Sequence, residues 1–220
     1  MLFPNFVCVD NFFDNPEEVV NFSQKLEYFN ETTCPGKRSK ILHEVDYDFF
    51  NWVNLKICSV FYPNDISNIK FNADTYFQKI HKLEHDNWVH KDDSYRFTAI
   101  IYLNKNNTAG TSIFSAKNFK SSSYNASNIR YDYFKNENKK ISNEKIDTIK
   151  KAKDKNNERY NKTFSVEGIY NRLIIFDGNT YHASNPMNKD HERLTLISFI
   201  NDIDLQDKTI KYPIPTMRSV

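Results

Sequence analysis

RLIIFDGNTYHAS (172–184) is the stretch whose reading decides the fold. Leu173 to Phe176 is a short apolar run, Asp177-Gly178 is a tight turn, and Thr180 to Ser184 runs on as a second extended piece. The same grammar recurs on either side. Upstream, WVHKD (88–92) leads into RFTAIIYLN (96–104), a turn at 105–110 follows, and TSIF (111–114) resumes a strand. Downstream, RLTLISFI (193–200) is the last clear strand before an irregular tail. The N-terminal part differs. FVCVDNFF (6–13) reads as an opening strand. Asn15 as N-cap, Pro16 at the first helical position and Glu17 and Glu18 in the first turn then start a helix, with Val19, Phe22 and Leu26 on one face. A second helix is expected at 46–58, with strand-like pieces near 59–62 and 74–80. The pattern predicts a mainly β chain with N-terminal helices: an antiparallel β-sandwich or jelly-roll barrel.

Residues 115–165 break this rhythm. They begin as a polar loop, and 142–160 fits a helix with Ile146, Ile149 and Ala152 on one side. The stretch has too few apolar residues for its own core, so residues 1–220 read as a single domain with a polar, basic insertion or lid at 115–165 on the barrel rim. Residues 135–162 carry ten Lys/Arg against five Asp/Glu, which fits a solvated helix. The whole chain has net charge +2, so neither nucleic acid nor a membrane is an expected partner. Cys8, Cys34 and Cys58 are an odd set without CxxC spacing, which argues against a disulfide framework and a zinc knuckle. The N-terminal residues carry no signal-peptide pattern, and no apolar run is long enough to span a bilayer. A cytoplasmic location is the expectation.

Five polar residues stand out against the apolar strands. His90 and Asp92 are two apart, so an extended chain points both to one side. His182 follows a strongly apolar strand and the Asp177-Gly178 turn. Two imidazoles and one carboxylate form the facial set that binds Fe(II) and leaves positions open for cosubstrate and dioxygen. Arg193 and Thr195 share one face of a strand whose other face carries Leu194 and Leu196. A guanidinium takes such an inward position when an anion satisfies it, either an internal carboxylate or a bound diacid. Tyr102 is placed to add a phenol donor. His81, Glu84 and His85 loosely match an inverted metalloprotease spacing, but without helical periodicity around them. Trp88 and Arg96 flank the histidine–aspartate pair and are candidates either for pocket lining or for ordinary packing.

These pieces resemble the Fe(II)/2-oxoglutarate-dependent dioxygenase superfamily, in its prolyl-hydroxylase-like branch. HKD (90–92), TAIIYLN (98–104), GTSIF (110–114), NRLIIFDGNTYHAS (171–184) and ERLTLISFI (192–200) carry the resemblance. CPGKRS (34–39) adds a likeness to an uncharacterised bacterial family within it. The resemblance implies a double-stranded β-helix core. It implies iron on His90, Asp92 and His182, and the distal carboxylate of 2-oxoglutarate on Arg193, Thr195 and Tyr102. It further implies use of O2, release of succinate and carbon dioxide, and hydroxylation of a small-molecule or peptide substrate. The residue pattern leaves a second option open, a non-catalytic metal- or small-acid-binding barrel of the same descent. Two departures, the lone Gly110 with Ser112 and the 115–165 insertion, fall where substrate recognition is expected, so no substrate is carried over.

Overall fold

The computed structural model describes residues 6–30, 34–63, 68–81, 87–106, 108–117, 143–187 and 192–205. In chain order the elements are β1 (Phe6–Val9), α1 (Pro16–Gln24), β2 (Tyr28–Asn30), β3 (Lys37–Ser39), α2 (Leu42–Val45), α3 (Tyr47–Ser59), β4 (Ile69–Ile80), β5 (Phe97–Tyr102) and β6 (Thr108–Ala116). Next come α4 (Asn143–Asn157), β7 (Tyr160–Gly168), β8 (Arg172–Asp177), β9 (Tyr181–Ser184) and β10 (Arg193–Leu205). The strands form a seven-stranded sheet, β1-β8-β5-β10-β4-β3-β2, and a three-stranded sheet, β7-β6-β9, antiparallel throughout. This is the mostly-β jelly-roll architecture expected from the strand pattern, braced by the N-terminal helices.

Strand alternation gives the large sheet two different faces. Ala99, Ile101, Leu173, Ile175, Leu196 and Ile200 face the helices and pack with Val19, Leu42, Val53 and Ile57. Ile100, Ile174, Phe176, Ile197 and Phe199 face the other way and pack with Ile113 of the small sheet. Buried polar residues on the helix side are satisfied: Asn54 of α3 bonds both Thr75 and Ser198, which pins that helix to the central strands. Phe176 and Ile197 therefore floor a space between the two sheets, and the polar side chains of the same face open into it.

Several local expectations change. Residues 59–62 continue the helix into turns, with Val60 N–H on the Ile57 carbonyl and Tyr62 N–H on that of Cys58. The apolar run Val60-Phe61-Tyr62 packs as the end of a helical face, a period that four residues cannot distinguish from a strand. β4 starts at Ile69, because its partner β10 runs on to Leu205. Asn15 does not cap α1 by accepting a backbone N–H; its amide donates to Glu18. WVHKD is extended but pairs only at His90. The helix expected at 142–160 is α4, and strand structure returns at Tyr160, inside the stretch read as polar insertion. Among the described residues no helix is long and apolar enough to cross a membrane.

Candidate metal centre

His90 lies in an extended segment between the two sheets, and His182 lies in β9. Their backbones face each other as an antiparallel bridge: each N–H donates to the other's carbonyl, at 3.1 and 2.9 Å. Residues directly opposed in this way project side chains to the same side, and the two rings stand 4.3 Å apart. Asp92 follows two residues after His90. Its backbone N–H donates to the Gly178 carbonyl, and its own carbonyl accepts from Tyr95 N–H. Gly178 is required there, because a Cβ would meet the Tyr95 carbonyl oxygen at 2.0 Å and that of Asp92 at 2.6 Å. The glycine turn at 177–178 thus lets the two ligand-bearing segments close on each other.

The donor atoms converge. His182 Nε2 is 3.4 Å from Asp92 Oδ2, His90 Nε2 is 3.8 Å from Asp92 Oδ1, and one atom from each of the three residues lies within 4.8 Å of the others. Each imidazole Nδ1 faces a carbonyl oxygen, that of Trp88 for His90 (2.8 Å) and that of Thr180 for His182 (3.0 Å). A carbonyl only accepts, so Nδ1 carries the hydrogen and Nε2 presents its lone pair inward. Thr98 donates its hydroxyl to Asp92 Oδ2 at 2.7 Å and fixes the carboxylate rotamer. This is the chemistry of a three-ligand cation site with the rest of the coordination sphere open.

Arg193 is buried, and its Nη1 donates to Ser184 at 2.8 Å. Ser184 is two residues beyond His182 on β9, about 7 Å along the strand and on the same face. The Arg193 guanidinium stands 5.3 Å over the Tyr102 ring. Thr195 pairs opposite Tyr102 in the sheet, and the Tyr102 hydroxyl meets that of Thr111 at 2.8 Å. Arg193 Nε and the Thr195 hydroxyl are buried with no hydrogen-bond partner among the described residues. Burial pushes the Tyr102 phenol up and the Arg193 guanidinium down. Among the described residues no carboxylate pairs with Arg193.

Other residues resolve differently. His81 pairs with Glu192 through Nε2 at 3.1 Å, and Glu84 and His85 lie outside the described residues. Arg96 turns outward to Asp202 at 3.3 Å. Trp88 is buried, and its indole N–H has no partner among the described residues. Reading the sequence missed Thr98, Thr111 and Ser184, ordinary small strand residues whose role is visible only in register. It also missed Asn156 and Asn157, at the end of α4. The Asn157 side chain accepts from Val89 N–H at 2.9 Å and donates to the Asn87 carbonyl at 3.0 Å, while Asn156 donates to the Val89 carbonyl at 3.0 Å. The helix thereby gives the segment before His90 the hydrogen bonds a neighbouring strand would supply.

Solved structures share this architecture. A prolyl hydroxylase from Trichoplax adhaerens, in complex with a hypoxia inducible factor oxygen degradation domain peptide fragment, superposes with a TM-score of 0.53 at 13% identity, over 90% of this chain and 82% of that one. HygX from Streptomyces hygroscopicus, with nickel and 2-oxoglutarate bound, gives 0.53 at 10% identity, over 90% and 82%. The non-heme alpha ketoglutarate dependent epimerase SnoN from nogalamycin biosynthesis gives 0.54 at 10% identity, over 98% and 87%. At these identities the likeness is one of fold: the jelly-roll of the 2-oxoglutarate-dependent oxygenases. No curated protein sequence matches the chain. A family model matches residues 4–200, and the chain belongs to that family, the "Family of unknown function (DUF6445)".

Proposed function

We propose that this protein is an Fe(II)- and 2-oxoglutarate-dependent oxygenase, a hydroxylase of a small-molecule or peptide substrate. His90, Asp92 and His182 hold the iron; Arg193, Thr195 and Tyr102 receive the distal carboxylate of 2-oxoglutarate. The observation that carries the reading is the pair of unsatisfied donors, Arg193 Nε and Thr195 Oγ1, buried one strand repeat from a convergent two-histidine, one-carboxylate set. When bound, iron with 2-oxoglutarate and O2 supplies the oxidising chemistry, with succinate and carbon dioxide as by-products. The chain's own contribution is placement. Trp88 and Thr180 carbonyls hold the imidazole tautomers, Thr98 holds the carboxylate, and Arg193 offers a planar fork to a carboxylate. Phe176 and Ile197 on the sheet floor exclude water beneath the site. The carboxylate at position 92 occupies the ligand place that halide chemistry would need vacant, which favours hydroxylation over halogenation. We assign residues 1–220 to one domain, with the insertion confined to the stretch between β6 and β7, and a cytoplasmic location, where ferrous iron is maintained.

The test is a thermal-shift titration. Mn(II) stabilises the wild type, 2-oxoglutarate adds to this only when Mn(II) is present, and iron-loaded protein releases succinate slowly without substrate. Asp92→Ala keeps the fold and loses the response to Mn(II). An unchanged metal response in that variant refutes the assignment.

A further inference from the structure

β3 lies against β4 with Arg38 opposite Gln78. The contact is close because Gly36, at φ 74°, stands where a Cβ would come within 2.1 Å of the Lys79 carbonyl oxygen. The Arg38 guanidinium carbon sits 5.2 Å from the ring centres of both Tyr76 and Phe199. By strand alternation those two rings belong to the face that carries Thr98, Tyr102 and Thr195. Phe199 pairs opposite Thr98, the residue that holds Asp92, and Tyr95 stacks on Phe199 with centres 4.8 Å apart. Three aromatic rings thus run from the metal ligands to Arg38. From β3, which bears Arg38, to β5, which bears Thr98, is three strand spacings, about 14 Å, part of which the arginine side chain spans to reach Phe199.

Among the described residues Arg38 has no ion-pair partner, and its Nε is buried and unpaired. Asp74, the acid on that face, receives the Tyr95 hydroxyl at 3.2 Å. A guanidinium stacked on rings keeps its N–H edge free for a planar anion, a geometry that suits bidentate carboxylate binding. The Arg193 corner lies on the other side of Thr195, toward Ser184, so the two cationic positions are separate.

We infer that Arg38 is the anchor for the substrate, and that the substrate is a carboxylic acid whose apolar body lies on Tyr76, Phe199 and Tyr95 and whose far end reaches the metal. This rests on the oxygenase reading above and names its substrate class. The probes are N-acetyl-phenylalanine and N-acetyl-phenylalaninamide, which differ in the carboxylate alone. Binding to wild type is read by saturation-transfer NMR without metal, then by paramagnetic broadening of the probe with Mn(II) and 2-oxoglutarate present. The acid is expected to bind about tenfold more tightly than the amide, the worth of one charge-assisted hydrogen bond over a neutral one. Arg38→Gln abolishes that preference, Arg38→Lys retains part of it, and Mn(II) broadens the probe's signals. Equal affinity for the two probes, no binding of the acid at millimolar concentration, or a preference that survives Arg38→Gln overturns the inference. Carboxylate preference without any Mn(II) or 2-oxoglutarate binding overturns the oxygenase reading instead, so the two failures are distinguishable.

Discussion

On the proposed function, Arg193→Met is expected to make the protein more stable and unresponsive to 2-oxoglutarate. The guanidinium is fully desolvated, and among the described residues its Nε is unpaired and it meets no carboxylate; its compensation there comes from Ser184 and Tyr102. Taking an ion out of water costs several kcal/mol even after relaxation. A charged hydrogen bond returns about 1.5–3 kcal/mol, and an arginine over a ring returns about 0.5–2 kcal/mol. Methionine has similar length, no charge and a flexible shape that fills the space left. The net gain on substitution is roughly 2 kcal/mol, a rise in Tm of roughly 4–8 °C for a chain of this size. In wild type the cost is recovered when a diacid binds. At a hundred times Kd, 2-oxoglutarate adds about 2.7 kcal/mol of stability and raises Tm by roughly 5–11 °C. Both proteins are melted in chelator, then with Mn(II), then with Mn(II) and 2-oxoglutarate. Wild type gains in the third condition, whereas the variant starts higher and gains nothing from 2-oxoglutarate. A variant that melts below wild type in chelator, or that still responds to 2-oxoglutarate, refutes the account of Arg193 as an unpaired charge awaiting an anion.

Asn157→Ala removes three side-chain bonds and leaves the buried Val89 N–H unpaired, at a cost of about 1–3 kcal/mol in chemical denaturation. It also weakens Mn(II) binding about tenfold by loosening the segment that carries His90; unchanged affinity at reduced stability would restrict these bonds to a structural role. Gly178→Ala forces a methyl against two carbonyl oxygens and lowers stability by about 1–3 kcal/mol, with a loss of Mn(II) response larger than that of a distant substitution of equal cost. Cys8 is exposed, whereas Cys34 and Cys58 are buried and burial pushes the Cys58 thiol up to about 12. A thiol reagent at pH 8 therefore labels Cys8 first in native protein, and equal rates at all three positions would contradict the packing.

Much of the centre was legible because strand chemistry is local. His90 with Asp92, and Arg193 with Thr195, each share a side by simple alternation, and the glycine turn before His182 is a short-range signal. The apolar runs of β5, β8 and β10 announced themselves for the same reason. β7 did not, because its residues from Asn161 to Ser165 are exposed and Lys162 interrupts the alternation of Tyr160, Phe164 and Val166. Residues 59–62 misled because three apolar residues after Ser59 fit either a strand or the last turn of a helix. Thr98, Thr111 and Ser184 gain their meaning from register across strands far apart in the chain. Asn156 and Asn157 act on backbone groups 67 to 70 residues away, a relation with no local pattern to find.

The carboxamides that fasten α4 to residues 87–89 carry no charge at any pH and are not screened by dissolved ions. A lysine or glutamate in their place would loosen in brine and tighten in dilute buffer. The stretch of chain presenting His90 is therefore fastened by contacts that dissolved salt does not weaken.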